Sequence, residues 1–265
     1  MIEGFLEEAA LPAFEGQLVG LIAPHAGYIY SGLTAAHAFK ALLGKQFARV
    51  ILLSPSHQPY RQPLLTTSHD AYSTPLGLVP VDREALARLN ELLKESNGVE
   101  LAAVRRDQEH SLEIELPFLQ VTQPNGFWLV PLMMVDQSAS MARLLSAALL
   151  KLIQSFPPKE NALLLASSDL SHFYSERAAN RLDGNLADAL QEFDLNAFYQ
   201  RKQHGEMEAC GFAPMATVLQ TSRLLGAEQV TVADYRTSAA VTGDRSSVVG
   251  YLSAIISTGK ADLHA

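Results

Sequence analysis

Continuous apolar runs recur at residues 18–23, 48–54, 127–132 and 161–168, and each reads as a strand covered on both faces. Between them lie stretches of helical period. Asp82 is placed to cap a helix with Leu86, Leu89 and Leu93 on one face and Gly98 just beyond its end. Residues 141–156 form a strongly apolar helix, closed by Pro157 and Pro158. Further helices are predicted over 34–43, with Ser31 as N-cap, over 177–193, over 195–203, and from Cys210-Gly211 to about Leu225. Residues 230–235 and 247–256 read as closing strands. The stretch 59–81, rich in Pro, Thr and Ser, reads as a loop with a short hairpin set into the alternation. With no repeat, low-complexity run or linker, this order predicts one α/β domain over residues 1–265.

Three of the apolar runs end alike. Pro24 stops the first, because a proline cannot donate to a sheet ladder, and leaves His25 at the exit. Ser54-Pro55-Ser56-His57 repeats the pattern, and the run at 161–168 exits into Asp169-Leu170-Ser171-His172. Strand ends that lead into helices are where open α/β sheets gather their ligands. Cys210 stands just before a helix, where free N–H groups and the helix dipole favour a thiolate. Two imidazoles and a thiolate would make a three-ligand metal site with open positions, the pattern of catalytic centres. The plainer alternatives are histidines that cap strand ends and an inert buried cysteine.

Around these lie weaker candidates. Glu109 and Glu113, in the segment from Asp107 to Leu119, are four apart and would share a helix face beside His110; an acidic first turn on the helix dipole explains them equally well. Asp169 and His172 are three apart, so a turn could set the carboxylate against the imidazole, or the pair could merely tie down its loop. Tyr28 could flank the mouth of a site. Arg245, in the turn Gly243-Asp244-Arg245-Ser246-Ser247, could hold an anionic substrate. His37 reads as packing or facing water, His69 and His204 as solvated, and His264 as part of a terminal tail.

Composition narrows the function classes. A net charge of −8 over 265 residues argues against a nucleic-acid groove, which needs a basic stripe. No apolar run approaches the length of a membrane span, and the first residues are acidic where a signal peptide is basic. A single cysteine permits no internal disulfide and fits a reducing compartment, so cytoplasm is the expected location. No Gly-rich phosphate loop or Gly-x-Ser-x-Gly elbow is present.

Five motifs, in order, resemble the Memo family: Pro24-His25-Ala26-Gly27-Tyr28-Ile29-Tyr30-Ser31-Gly32, Ser54-Pro55-Ser56-His57, Glu109-His110-Ser111-Leu112-Glu113, Ser167-Ser168-Asp169-Leu170-Ser171-His172 and Cys210-Gly211. That resemblance implies a fold similar to the class III extradiol dioxygenases: three layers, α/β/α, around a largely parallel or mixed sheet. It implies that His25, His57 and Cys210 are the metal ligands. His172 matches the dioxygenases' acid/base histidine, with Asp169 beside it as a further catalytic candidate; Tyr28, Glu109, His110 and Arg245 are left as substrate-binding candidates. The expected cofactor is one metal ion, Fe(II) first, with Cu or Zn as alternatives because a thiolate stands where those dioxygenases place a carboxylate. The expected function is a dioxygenase-like oxidoreductase acting on a small molecule or peptide, with a radical-SAM protein as a pathway partner and no nucleic acid or membrane. Two other readings stay open: a ligand- or peptide-binding protein using the same cleft without turnover, and a metal-independent cysteine hydrolase with Cys210 as nucleophile and His172 as base.

Overall fold

A computed structural model describes residues 1–106 and 109–259. In chain order its elements are α1 (Ile2–Glu8), β1 (Leu18–Ala23), α2 (Tyr28–Phe39), β2 (Arg49–Pro55), β3 (Leu64–Thr67), β4 (Ala71–Thr74), β5 (Gly77–Pro80), α3 (Arg83–Asn97), β6 (Ala102–Val104), α4 (Leu116–Thr122), β7 (Trp128–Met134), α5 (Ala139–Gln154), β8 (Ala162–Ser167), β9 (His172–Tyr174), α6 (Glu176–Glu192), α7 (Leu195–Gln203), α8 (Phe212–Leu224), β10 (Gln229–Thr237), α9 (Ala239–Thr242) and β11 (Val248–Ser257). The main sheet runs β10-β11-β1-β8-β2-β7-β3-β6, with β9 paired to β11 off that path; β4 and β5 form a separate hairpin.

The sheet is mixed. Its centre, β1-β8-β2-β7, is parallel, while β11 runs antiparallel to β1 and β3 antiparallel to β7. Leu21, Ile22, Ile51, Leu52, Leu53, Leu164 and Leu165 have no exposed surface, as continuous apolar runs covered on both faces require. Each such side chain contributes about 1.5–3 kcal/mol of burial. Helices flank the sheet in a three-layer α/β/α arrangement: α8 lies over β1, β2 and β8 and packs on α5, which packs on α3, whereas α2 lies over β1, β10 and β11 and packs on α1.

Strand order sets the site. β8 lies between β1 and β2, with Ala23 level with Ser167 and Leu53 level with Ala166. The exits that carry His25 and His57 therefore flank the exit of β8 at the carboxyl edge of the parallel strands.

Several local expectations hold. Asp82 caps α3 by accepting the Ala85 N–H, and Gly98 closes it in the left-handed conformation. The stretch 59–81 does carry a hairpin, but Leu64–Thr67 within it is a strand of the main sheet, too short to show a period. Two expectations are overturned. The helix after β1 starts at Tyr28 with Gly27 as N-cap, so Ser31 lies inside it and donates to the Ala26 carbonyl (2.9 Å); it ends at Phe39, followed by a 3₁₀ turn over Lys40–Leu42. Glu109 and Glu113 do not share a helix face, because α4 begins only at Leu116, with a 3₁₀ turn over Glu113–Glu115 before it. Pro117 sits in the first turn of α4, where a proline's missing N–H costs nothing. Asp107 and His264 lie outside the described residues.

Candidate metal centre

Cys210 reaches the β8 exit from the start of α8. Its N–H donates to the Asp169 carbonyl (3.2 Å), its Sγ accepts the Asp169 N–H (3.3 Å), and the next N–H, of Gly211, donates to Ser168 Oγ (2.9 Å). Only glycine permits this approach, since a Cβ on Gly211 would stand 2.4 Å from the Ser167 carbonyl oxygen. The residue after the cysteine thus sets how closely the thiol approaches the histidines.

One ligand atom from each of His25, His57 and Cys210 lies within 4.8 Å of the others. His25 Nε2 is 3.2 Å from Cys210 Sγ. Bonds of about 2.0–2.3 Å place the ligands of one ion roughly 3–4 Å apart, so these side chains fit a single metal with small adjustment. The far side of each imidazole is already committed. His25 Nδ1 is 2.8 Å from Ser167 Oγ, and His57 Nδ1 is 2.9 Å from Glu109 Oε1. Partners at Nδ1 orient the ring and leave Nε2 for a metal.

The electrostatics agree. Burial alone would raise the Cys210 thiol, but hydrogen bonds from His25 and His57 outweigh it and bring it down to about 7. Hydrogen bonds from Cys210 and then Glu109 raise His57, so without a metal the pair favours thiolate and imidazolium. Glu109 is buried, which opposes its ionisation. The His57 ring, the His57 N–H (2.5 Å) and the Ser111 N–H (3.0 Å) reverse that and hold its carboxyl down at about 2.

Glu109, His110 and Ser111 form a strap across the strand ends. Ser111 Oγ donates to the Pro55 carbonyl at the exit of β2 (3.0 Å), and Ser167 Oγ donates to the Ser111 carbonyl (2.6 Å). The exposed ring of His110 stacks on His57, with centroids 5.4 Å apart, and stands edge-on to His25 at 5.8 Å. His57, Glu109 and His110 form a second cluster of ligand type. The Glu109 carboxylate in it is occupied by three hydrogen bonds from His57 and Ser111.

Asp169 takes the His25 N–H (2.8 Å) and the Ala26 N–H (3.2 Å) on one oxygen, pinning the exit of β1. Burial raises its carboxyl to about 6, and His172 acts on it through space in the opposite sense. His172 opens β9 and does not join the His25, His57 and Cys210 cluster. Tyr28 donates its hydroxyl to the Ile114 carbonyl (2.7 Å) and, with His110, borders an apolar groove of about 560 Å³ that also touches Tyr72, Leu76, Ile114 and Leu116. The structure does not bring Arg245 to this centre: it pairs with Glu176 (3.3 Å) beside a different cleft of about 270 Å³. Ser167, Ser111 and Glu115, which the sequence reading did not single out, are the buried groups behind His25. Ser167 and Ser111 fall inside the quoted motifs, but nothing in their spacing marks them as partners of a histidine.

Comparison with known proteins identifies the family of the chain. A profile described as "Memo-like protein" matches residues 1–255. A MEMO1 family protein of Nitrosopumilus maritimus is 36% identical over 234 residues, covering 88% of this chain and 82% of that protein. One from Thermotoga neapolitana is 36% identical over 241 residues (90% and 83%), and one from Methanobrevibacter smithii 33% over 248 residues (92% and 86%).

Proposed function

The chain belongs to the Memo family, and from that premise we propose that it holds one metal ion on His25, His57 and Cys210 and uses it for redox chemistry on a small molecule or peptide in the adjoining groove. The observation that carries this reading is the approach of His25 Nε2 to Cys210 Sγ (3.2 Å) with the Nδ1 atoms of both imidazoles committed elsewhere. Fe(II) is the first choice, with Cu or Zn allowed by the soft thiolate. Iron or copper on these ligands would supply one-electron and O₂ chemistry. The chain's own groups do the rest. The groove by His110 and Tyr28 receives the substrate, and His172, outside the ligand set, moves a proton. Asp169 keeps the His25 backbone fixed while it does so. Among the described residues no helix is long and apolar enough to cross a membrane, and we place the protein in the cytoplasm, with a radical-SAM protein as pathway partner.

Elemental analysis and spectroscopy of anaerobically purified protein test the reading. One equivalent of metal, lost in Cys210→Ala, supports it; full occupancy in that variant refutes it. Absence of O₂ consumption across a substrate panel, with the metal in place, would favour the binding protein that does not turn over. A second reading, metal-independent thiol chemistry at Cys210, is favoured by the lowered thiol. Activity that survives chelation would select it.

A further inference from the structure

Behind His25 lies a buried chain of polar groups that the metal chemistry alone does not explain. Ser167 Oγ meets three partners: His25 Nδ1 at 2.8 Å, the Ser111 carbonyl oxygen at 2.6 Å and Glu115 Oε1 at 2.9 Å. Glu115, Ser111 and Ser167 are at most 1% exposed. We propose that Glu115 donates a hydrogen bond to Ser167 Oγ and, through that hydroxyl, positions His25 for the metal. The inference rests on the metal reading above, both for its consequence and for the His25 tautomer on which the hydrogen-bond count depends.

A serine hydroxyl has one proton to give and two lone pairs. A metal on His25 Nε2 requires the Nδ1 proton, which goes to Ser167 Oγ. The single Ser167 proton then has two claimants. If Glu115 were ionised, it would either take that proton and leave the Ser111 carbonyl facing an oxygen lone pair at 2.6 Å, or lose it and set a bare carboxylate against the hydroxyl oxygen. If Glu115 carries its own proton, every contact is satisfied: His25 and Glu115 donate to Ser167, and Ser167 donates to Ser111. A half-satisfied buried network is costly, so the second count wins.

The surroundings favour the same state. Glu115 is fully buried; burial, together with the nearby Asp169 carboxylate, pushes its carboxyl well above the ordinary range, against the opposing pull of Ser167. The neighbouring Tyr28 phenol, raised by burial, stays neutral and sets no cation beside Glu115. Ser167 links Glu115 to the His25 imidazole. Glu115 is therefore a positioning residue that acts without a charge.

The test has two arms. Infrared difference spectra of wild type minus Glu115→Gln, on metal-free and Zn(II)-loaded protein, should show the carbonyl stretch of a protonated carboxylic acid at neutral pH. Carboxylate bands in its place overturn the proposal. In the second arm, Co(II) affinity is read from the thiolate-to-metal absorption. Glu115→Gln, whose amide can still donate to Ser167, should stay within about threefold of wild type, whereas Glu115→Ala and Ser167→Ala should lose about tenfold or more, as for other groups that orient a ligand. A loss in Glu115→Gln equal to that in Glu115→Ala overturns the donor role. Should Glu115→Ala fail to fold, Ser167→Ala carries this arm. A wild-type protein that binds no Co(II) would refute the metal reading, while the metal-free infrared arm would still decide the state of Glu115.

Discussion

His25 and His57 leave neighbouring stretches of one sheet edge in nearly the same sequence context, yet they are held in opposite ways. His25 is 2% exposed and rests on neutral groups, the Ser167 hydroxyl with Ser111 and Glu115 behind it. The His57 side chain is 36% exposed and rests on an ionised carboxylate, Glu109, itself 1% exposed. The difference follows from desolvation. A carboxylate behind the deeply buried ring would have no water and only the shared Ser167 hydroxyl to answer it, and a poorly compensated buried ion costs several kcal/mol. Glu109 can remain ionised because three donors from His57 and Ser111 converge on it. A carboxylate behind an imidazole makes it a stronger donor to a metal than a hydroxyl does. The two ligands are thus chemically unequal, and the inequality can be tested.

The largest effect tests what the arms share. Cys210→Ala should lower metal affinity by at least about a hundredfold, because both histidines face that sulfur. Cys210→Ser should discriminate, weakening soft metals more than hard ones. Isothermal titration with Zn(II) and Mn(II) reads both, and unchanged Zn(II) affinity in either variant would deny the sulfur a place in the site.

Next comes the comparison itself. Glu109→Gln should cost nearer a hundredfold in Co(II) affinity and Ser167→Ala nearer tenfold, the two ends of the usual range for such partners. Equal losses would erase the distinction between a charged and a neutral support.

A third effect is carried by protons. His57 is raised above its ordinary value by Cys210 and Glu109, so in the metal-free protein it is protonated at neutral pH. Each ion bound must displace that proton, and below about pH 7 the thiol proton as well, so Co(II) affinity should rise about tenfold per pH unit or more between roughly pH 6 and 8, and less steeply in Glu109→Gln. Stability has the opposite sign. A raised histidine stabilises the metal-free fold below its unfolded value near 6.5, and that contribution is lost as the pH climbs through the raised one. A metal affinity that is flat over the same pH range would mean that His57 is already neutral.

The smallest effect concerns the exit that stands outside the comparison. Val249 pairs with His172 and Val248 with Tyr174, so Phe173 is the extra residue of a bulge; its φ is +65° and its side chain is 77% exposed. That conformation costs a bulky residue about 1–2 kcal/mol. Phe173→Gly should therefore raise the Tm by about 2–4 °C per kcal/mol recovered, while leaving metal affinity as in wild type, as should His172→Ala. A lower Tm would show that the ring contributes packing worth more than the strain. A loss of metal in His172→Ala would make it a fourth ligand.

Much of this centre is legible in the chain because local rules act on local residues. Apolar runs ending at prolines place His25 and His57 at strand exits, and Asp82 and Gly98 bound α3 where capping chemistry puts them. Where the reading failed, a local signal was outweighed. Glu109 and Glu113 have the spacing of a helix face, but the helix starts only at Leu116, and Glu109 is drawn instead to His57, 52 residues away.

The sequence by itself determined the central strands β1, β2, β7 and β8, most of the long helices, and which chemically able side chains stand at the exits of β1, β2 and β8, since each depends on neighbours a few positions away. Only the tertiary structure decided that β8 lies between β1 and β2, that Gly211 lets Cys210 come within 3.2 Å of a histidine 185 residues distant, and that a hydroxyl supports one imidazole and a carboxylate the other. Those facts depend on strand order and on the water left at each position, and both are properties of the packed sheet that no local pattern encodes.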